Sequence, residues 1–518
     1  MTIVQQGNIN TTALVVPDLY VQIVAPQNLL LNGVPTNVVG VVGTAQWGPV
    51  GTPVICSSMA DFAAAFGGIQ NRTYDMGTAV ALAVQQGASS FRCVRVTDAT
   101  DAAATIVVLT NCITFTALYT GTLGNGLQVA IAAGQRASSF NVTVAMPGQN
   151  PEIFQNITGS GNALWVNIAA AINAGMSALR PGSKFIIATA GVGVTAPSVA
   201  SYALAGGTDG VATITTAVLV GVDTVPRKGM YALRGMGCTL GVLADGTDYT
   251  QWSTTLAFGL AEGIYMIVAH ASGTSIATAV TNTATAAADG YGIKVMHGDW
   301  LWWQDQVNGV QRLVSPQGFV AGRLANLSPE QSSLNKPLYS IIGSQKAGAP
   351  GTSQLGRYSS AEKAVLFGAG IDVICNPSPG GNYWSVGLGH NGASNPAVSG
   401  DNYTRLTNYI AATLNAGMGG FVGQVINARL FQRVKSTLVS FLQNMQSQNL
   451  LGSIDGSTPF AVICDTSNNP SIRTGLGYVQ ADVQVQYQGI NEKFIVNVEG
   501  GQTVQVLRQT GPGGPVTL

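Results

Sequence analysis

Hydrophobic residues change their spacing along the chain, and each spacing predicts a kind of element. Residues 37–43 are apolar on both faces, which is typical of a buried central strand. A capping box at Ser58 predicts a short helix over residues 58–66, ended by two glycines, and a second helix over residues 76–86. Residues 91–96 again have strand character. Strand, helix and strand in this order indicate a layered α/β domain.

The pattern changes between residues 98 and 210. Short alternating runs at 105–109, 127–132 and 140–145 predict strands separated by Gly and Asn turns, and residues 162–174 predict a single helix. The stretch closes with a run of glycines, Thr208 and Asp209 that is typical of a hinge. We interpret this stretch as an inserted β-rich domain.

The α/β pattern then resumes and ends in amphipathic helices. Strands are predicted near Val218, Thr239, Ile264, Ile293 and Ile371. Apolar residues at helical spacing predict helices over residues 403–416 and 429–446, with Asn427 as the N-cap of the second. Further strands are predicted at 460–464, 478–487 and 493–498.

The sequence pattern at the two ends of the chain is not typical of a folded domain. Near the start one short alternating run stands between glycine and prolines; its residues are Leu19, Tyr20, Val21, Gln22 and Ile23. Near the end a second lone run follows two glycines and includes Gln502, Val504, Val506 and Leu507. Neither has an evident hairpin partner, and an isolated strand needs a sheet edge to satisfy its backbone. We therefore predict two extended arms whose strands join a sheet edge in a neighbouring copy of the chain; the alternative is that both strands pair within their own chain.

The predicted fold class is a multidomain α/β protein with an inserted domain and terminal arm strands. Its predicted segments are an N-terminal arm (1–30), a first part of the α/β core (31–97), the inserted outer domain (98–210), a middle α/β domain (211–400), a C-terminal inner α/β domain (401–499) and a C-terminal arm (500–518).

The amino-acid composition excludes several classes of function. Charged residues make up only 9% of the chain, against roughly 25% in ordinary soluble proteins, and 23 positive charges balance 23 negative ones. A neutral chain lacks the electrostatic footprint expected for nucleic acid or an anionic membrane. The most apolar stretch, residues 252–271, is interrupted by Glu262 and His270, so no spanning helix is predicted. The chain start has no signal-peptide pattern, and the six separated cysteines indicate buried free thiols.

Chemical motifs are missing or incomplete. Residues 387–392 match G-x-G-x-x-G by letter, but a loop follows them where a phosphate site needs a helix. No P-loop, nucleophile elbow or metal-ligand spacing is present. His297 and Asp299 suggest a structural pair rather than a base and its orienting group, and Trp300, Trp302 and Trp303 suggest a packing cluster. We therefore expect no catalytic, cofactor or metal site.

One resemblance covers nearly the whole chain. Residues 38–50 read VVGVVGTAQWGPV, an apolar strand followed by Gly-Thr-Ala and Gly-Pro. Further matches occur in order at residues 17–21, Ser58, 61–62, 66–68, 92–96, 124–126, 206–210, 316–323, 370–372, Arg405 and 409–410. Together they resemble the tail sheath proteins of contractile phages. The chain departs from that pattern in having Arg405 where the family often has paired arginines, and in lacking Arg-Thr after Trp384.

The resemblance implies a structural subunit without enzyme activity or cofactor. Such subunits stack as hexameric rings around a tail tube protein, between a baseplate and a tail terminator, in a virion tail assembled in the host cytoplasm. Neither nucleic acid nor membrane insertion is implied. Their arms add strands to sheets in neighbouring subunits, and contraction releases stored free energy. The exposed face of helix 429–446 would then offer Arg429, Arg433 and Lys435 to the tube. Another self-assembling shell or tail subunit, or an α/β enzyme without a recognisable motif, remains an alternative.

Overall fold

A computed structural model describes residues 31, 33–348, 350, 357–377, 381–496 and 498, and the strand backbones at 3–6, 20–23, 508–509 and 515–516. The chain divides into two compact units, Met1–Gln488 and Gly489–Leu518. The second unit contains only one short hairpin, β25–β26, among its described residues, and all other described elements belong to the first unit.

The described elements occur in the following order along the chain. The strands are β1 (Ile3–Gln6), β2 (Tyr20–Ile23), β3 (Val38–Gly43), β4 (Val54–Cys56), β5 (Ser90–Arg95), β6 (Thr105–Val108), β7 (Ile113–Ala117), β8 (Gln128–Ala133), β9 (Ser139–Ala145), β10 (Glu152–Thr158), β11 (Ile186–Ala190), β12 (Ala200–Ala203), β13 (Leu240–Leu243), β14 (Tyr265–Ala269), β15 (Ile293–Met296), β16 (Leu301–Asp305), β17 (Val310–Val314), β18 (Pro337–Leu338), β19 (Ile341–Ser344), β20 (Ile371–Asp372), β21 (Ile374–Cys375), β22 (Trp384–Val386), β23 (Phe460–Ile463), β24 (Asp482–Val485), β25 (Arg508–Gln509) and β26 (Pro515–Val516). The α-helices are α1 (Met59–Phe66), α2 (Met76–Gln85), α3 (Asn162–Ala174), α4 (Thr216–Val220), α5 (Trp252–Glu262), α6 (Ile276–Ala286), α7 (Pro316–Asn326), α8 (Ser360–Gly368), α9 (Asp401–Gly417), α10 (Ala428–Ser447) and α11 (Ser471–Thr474).

A seven-stranded sheet forms the centre, in the order β20-β15-β14-β13-β3-β5-β4. Its strands are parallel except for β4, which pairs antiparallel with β5 at one edge. Every residue of β3 is buried, as the apolar run predicted, because helices cover both faces. Strands from before and after the inserted segment therefore share one sheet.

Helices pack on the two faces of this sheet in separate groups. Buried residues of α1, α2 and α7 cover one face, and those of α4, α5, α6 and α8 cover the other. Helices α2 and α7 approach closely because α7 has glycines where it meets α2. A Cβ at Gly322 would lie 2.4 Å from the carbonyl oxygen of Ala83, and one at Gly318 would lie 2.9 Å from Cβ of Leu82. Only residues without a side chain allow this contact.

The segment between β5 and β13 builds its own core from the sheets β10-β9-β8-β12 and β11-β7-β6 with helix α3. Its entering and leaving strands are bonded to each other: the Asp98 amide donates to the Gly210 carbonyl, and Ala102 and Thr208 exchange both backbone bonds. The Asp209 carboxylate accepts from Thr122 and pairs with Arg72. These bonds fix the two crossings side by side.

A fourth apolar cluster joins α9, α10, β23 and β24. One stripe of α10 is buried, and the Asn427 side chain accepts from the Leu430 amide at 2.9 Å, as the predicted N-cap should. All six cysteines are buried and free. Among the described residues, no helix combines the length and apolar character needed to cross a membrane.

Several element predictions were wrong. The strand predicted near Val218 is helix α4, because Leu219 and Val220 pack on one side of the central sheet. No strand occurs at residues 493–496 and 498, where alternation was clean but Phe494 and Val496 are exposed. Strands β7, β10, β11 and β12 were not predicted.

Two carboxylates lie beside the carboxyl ends of β3 and β13. Asp75 caps α2 by accepting from the amide and hydroxyl of Thr78, both at 2.7 Å. Asp245 accepts from the Tyr74 amide at 3.0 Å. Burial raises the pKa of each carboxyl to about 6. A carboxyl with a higher pKa in the folded chain binds more protons there, so stability falls as pH rises from about 4 to about 6.

We predict that Asp245→Asn raises the melting temperature at about pH 7.5 and leaves it unchanged near pH 4, where Asp245 is already protonated. Asparagine suits the backbone of Asp245, whose φ is +51°, and still accepts from the Tyr74 amide. Thermal unfolding at both pH values measures the effect. Asp248→Asn in the same loop, where the side chain is exposed, is the control. An equal shift at both pH values would contradict the assignment.

Candidate assembly site

The first predicted arm strand forms part of a small separate sheet. β2 pairs in parallel with β1, placing Tyr20 opposite Ile3 and Ile23 opposite Gln6. Leu19 lies outside the described residues. A two-stranded sheet is at best marginally stable by itself in water. No third strand joins β1 and β2 in the part of the chain that the structure describes, so both outer edges of this small sheet are available for a further strand.

The second unit exposes apolar side chains before the predicted C-terminal arm. Phe494, Ile495 and Val498 are each more than 80% exposed. Gln502, Val504, Val506 and Leu507 lie outside the described residues, and β25 pairs antiparallel with β26 just beyond them. An exposed Phe-Ile-Val run without a sheet partner among the described residues is a segment suited to strand addition.

Strands β23 and β24 form another two-stranded sheet, with antiparallel pairing. Its register pairs Phe460 with Val485 and Ile463 with Asp482. Val462 is buried in the same cluster as α10, so one face is anchored. Among the described residues no third strand joins this sheet, and both outer edges keep unpaired backbone groups.

The three predicted cations on α10 are exposed but do not share one face. At 3.6 residues per turn, Arg429 and Arg433 lie about 40° apart, whereas Lys435 lies about 160° from Arg433. Arg433 donates to the Gln424 side chain at 3.0 Å and lies over the Phe421 ring. The charge of Lys435 instead acts on Asp465, beyond β23, and helps lower the pKa of that carboxyl, which hydrogen bonds from Ser467 lower most. Arg429 and Arg433 are therefore a pair, and Lys435 belongs to the opposite flank.

A buried charge cluster attaches α9 to the central sheet. The Lys294 ammonium lies 2.7 Å from Asp372 Oδ2 and 3.1 Å from Asp401 Oδ1, and all three side chains are at most 1% exposed. Tyr265 donates to Asp401 Oδ1 at 2.6 Å, and Ser333 donates to the other oxygen. Burial lowers the pKa of Lys294, but the two carboxylates outweigh it and raise that pKa overall. Asp401 is the first residue of α9, so the cluster fixes where that helix starts.

The Gly-rich motif at 387–392 is part of this cluster. The amides of Leu388 and Gly389 both donate to the Asp372 carboxylate at 2.8 Å, and the His390 carbonyl accepts from Lys294 at 2.8 Å. The backbone donors that would hold a phosphate in a nucleotide site are thus occupied by an internal carboxylate. The prediction that a loop rather than a helix follows the motif is confirmed.

Sequence analysis missed Lys294, Asp372 and Asp401. A signal was present: Lys294 lies within the apolar run GIKVM, and Asp372 within GIDVI. A charged residue in the middle of a buried strand needs a partner. The sequence does not say which partner, because the residues involved are distant along the chain.

Comparisons with solved structures give the fold. A sheath tail protein from Desulfitobacterium hafniense superposes with a TM-score of 0.56 at 18% identity, covering 85% of this chain and 91% of its own. A sheath tail protein from Listeria innocua gives 0.53 at 14%, covering 84% and 90%. The contracted sheath of the extracellular contractile injection system PVC gives 0.53 at 11%, covering 94% and 98%. This chain has the sheath protein fold. No family model matches the sequence, and no curated protein does.

Within this sheath fold, the suspected catalytic pair does not form. Asp299 accepts from the Lys346 amide at 2.9 Å and from the Tyr358 hydroxyl at 2.8 Å, and it does not bond His297. Nδ1 of His297 is buried without a partner, and burial lowers its pKa to about 4. The predicted structural pair is therefore wrong. Asp299 is held by Lys346 and Tyr358, whereas His297 donates its backbone amide to the Asp372 carbonyl.

The three tryptophans lie on or next to β16, where the neighbours Trp302 and Trp303 face opposite sides of the strand, so they do not pack as one cluster. Trp303 is buried and donates to Gln85 at 3.0 Å, and Trp300 donates to the His270 carbonyl at 3.2 Å. Among the described residues, no three His, Cys, Asp or Glu side chains converge as a metal-ligand set.

A buried arginine makes a second attachment of α9. Arg405 donates to the carbonyls of Leu327 and Ser328, each at 2.8 Å, where the chain leaves α7. Burial lowers its pKa to about 10, although Asp401 acts in the opposite direction. Arg405 thus ties α9 to the residues that follow α7.

We predict that Arg405→Met lowers the free energy of unfolding by about 3 kcal/mol, because it removes a buried cation and leaves two buried carbonyls without donors. Chemical denaturation measures the change. Arg429→Met alters an exposed arginine on the neighbouring helix and should change stability by less than about 0.5 kcal/mol. Equal effects of the two substitutions would contradict this role of Arg405.

Proposed function

We propose that this chain is the structural subunit of a contractile tail sheath. It would polymerise as stacked hexameric rings around a tail tube and contract to drive the tube through the host envelope. The sheath fold over most of the chain carries the proposal. Its partners would be further copies of itself, a tail tube protein, a baseplate and a tail terminator. The assembled tail would belong to a virion built in the host cytoplasm.

A structural role rather than catalysis fits the described residues. The Gly-rich loop is filled by Asp372, and His297 has no group to orient it. Charged residues are scarce, which suits a subunit whose surface is largely covered by copies of itself. We propose no cofactor, no nucleic-acid partner and no membrane insertion.

Strand addition is the proposed link between subunits. The hairpin β23–β24 would accept the arm strand around Tyr20–Ile23 of one neighbour and the strand around 502–507 of another. Backbone hydrogen bonds depend little on side chains and survive sliding of the surrounding surfaces, so they suit a link that must persist during contraction. The exposed Phe494–Val496 run would extend the C-terminal arm towards its acceptor.

The inserted domain would lie on the outside of the polymer. Its core is separate, and it joins the central sheet through two crossings that are bonded to each other. A domain attached in this way can vary without changing the sheet that carries it.

Concentrated pure protein should form long hollow cylinders in negative-stain microscopy.

A chain truncated after Gly500 should remain folded and monomeric, because it loses the proposed arm while the core clusters are unchanged. Val504→Pro, which removes one backbone donor, should weaken assembly less. Circular dichroism checks folding. If the truncated chain still builds cylinders, the C-terminal link is wrong; if wild type stays monodisperse at high concentration, the sheath proposal itself is wrong.

Arg429 and Arg433 are the proposed tube contacts. Reversal of both to Glu should leave empty cylinders intact and reduce assembly around purified tubes. Exposed pairs contribute only about 0–1 kcal/mol each, but the six copies in a ring add up. Lys435→Glu is the matched control, since Lys435 lies on the opposite flank of α10. Tube-bound assembly that is unchanged by the double reversal, or equally reduced by the control, would contradict the assignment.

A further inference from the structure

The buried cluster of Lys294, Asp372 and Asp401 has the arrangement of a reaction site. An amine lies against one carboxyl group and within reach of a second, and water is excluded from all three side chains. Lys294 lies on β15 and Asp372 on β20, neighbouring strands whose register pairs Val295 with Ile371. The two side chains therefore approach diagonally on one face of the sheet.

The two oxygens of Asp372 have different surroundings. Oδ1 accepts from the amides of Val373 and Leu388, each at 2.8 Å, and receives no bond from the lysine. Oδ2 accepts from the Lys294 ammonium at 2.7 Å and from the Gly389 amide at 2.8 Å. Two amides converging on one oxygen can stabilise negative charge that develops there, as in an oxyanion hole.

Asp401 is placed to move protons. Its Oδ1 lies 3.1 Å from the Lys294 ammonium and accepts from Tyr265 at 2.6 Å. Its Oδ2 is held by the amide and hydroxyl of Ser333. The carboxylate is thus fixed within hydrogen-bond distance of the amine that also contacts Asp372.

We propose that Lys294 and Asp372 condense to form an intramolecular isopeptide bond, with Asp401 as the catalytic proton carrier. Asp401 carries one proton from Nζ to Oδ2 of Asp372, so that a neutral amine faces a neutral carboxyl group. The amine lone pair attacks Cγ, and the single oxyanion that forms at Oδ1 is held by the amides of Val373 and Leu388. Asp401 then carries a second proton from the nitrogen to Oδ2, the Cγ–Oδ2 bond breaks, and Oδ2 leaves as water. No oxidant or reductant is needed, and Asp401 ends ionised as it began.

The environment favours the product over the ion pair. Condensation replaces two buried charges by a neutral amide, which removes their desolvation cost. Fixed contact between amine and carboxyl also gives a high effective concentration. The barrier lies in the first proton transfer, because the two carboxylates keep the lysine protonated in the resting state. We therefore expect slow cross-linking after folding, which would covalently join β15 to the edge strand β20 across 78 residues of chain.

The mass of the full-length protein tests this inference. After purification and incubation at neutral pH, the denatured chain should be lighter than its sequence by one water molecule. Proteolysis should give a joined peptide pair containing residues 294 and 372. A cyclic imide at an Asp-Gly step, such as Asp245-Gly246, also loses water but leaves these two peptides separate. The full sequence mass after prolonged incubation, or water loss only at Asp-Gly, would overturn the proposal.

Two variants test the chemistry. Asp372→Asn presents an amide in place of the acid, so its cross-link should release ammonia instead of water. Asp401→Asn keeps the shape of the proton carrier but removes its basicity, and should abolish or greatly slow cross-linking in a chain whose folding is verified by circular dichroism. Lys294→Arg keeps the positive charge without a reactive amine and should never cross-link. Cross-linking of Asp401→Asn at the wild-type rate would overturn the role of Asp401.

Discussion

The attraction between one lysine and two aspartates in a region without water determines how the main parts of this molecule meet. Leaving any of these charges buried without its partners would cost about 3–5 kcal/mol. Lys294 contributes from the central sheet, Asp372 from the sheet edge and Asp401 from the first turn of α9. The Gly-rich loop closes around the same carboxylate with its backbone amides. A change at one of these residues therefore affects the sheet, the loop and the helix together.

Charged residues are scarce in this chain, so a cluster that buries three of them is a prominent feature. The chain has 46 charged residues in all, 23 of each sign, and several of them are committed to internal contacts. Arg405 ties α9 to the end of α7, and Asp209 ties the inserted segment to Arg72. Most of the remaining surface is uncharged, so contacts between copies would depend on shape and backbone pairing more than on ion pairs. Arm strands and a two-stranded acceptor hairpin suit such a surface, because backbone groups supply the bonds.

The described residues form well-packed parts around the central sheet. That sheet is covered on both faces, the segment between β5 and β13 has an apolar cluster of its own, and α9 is anchored at its start by buried groups. Towards the two ends of the chain, the described strands form only two-stranded sheets, β1 with β2 and β25 with β26. Structures of sheath proteins with the same fold, at 11–18% identity, show that the architecture tolerates extensive sequence change.

The sequence by itself determined the elements whose pattern is strong and local. The apolar run of β3, the Asn427 cap and the stripe of α10 were all predicted, because burial on both faces or on one stripe leaves a periodic trace. The motifs around residues 38–50 also indicated the sheath fold, and the loop character of the Gly-rich motif was clear from Pro396 and the small residues beside it. Tertiary structure alone decided which distant residues meet. Alternation at 493–498 predicted a strand, yet no described strand lies beside it, since a strand needs a partner edge that local pattern does not specify. His297 and Asp299 are close in sequence but do not bond each other. Lys294, Asp372 and Asp401 are far apart in sequence and share one buried site, because charge pairing in a dry interior is set by the fold and not by spacing along the chain.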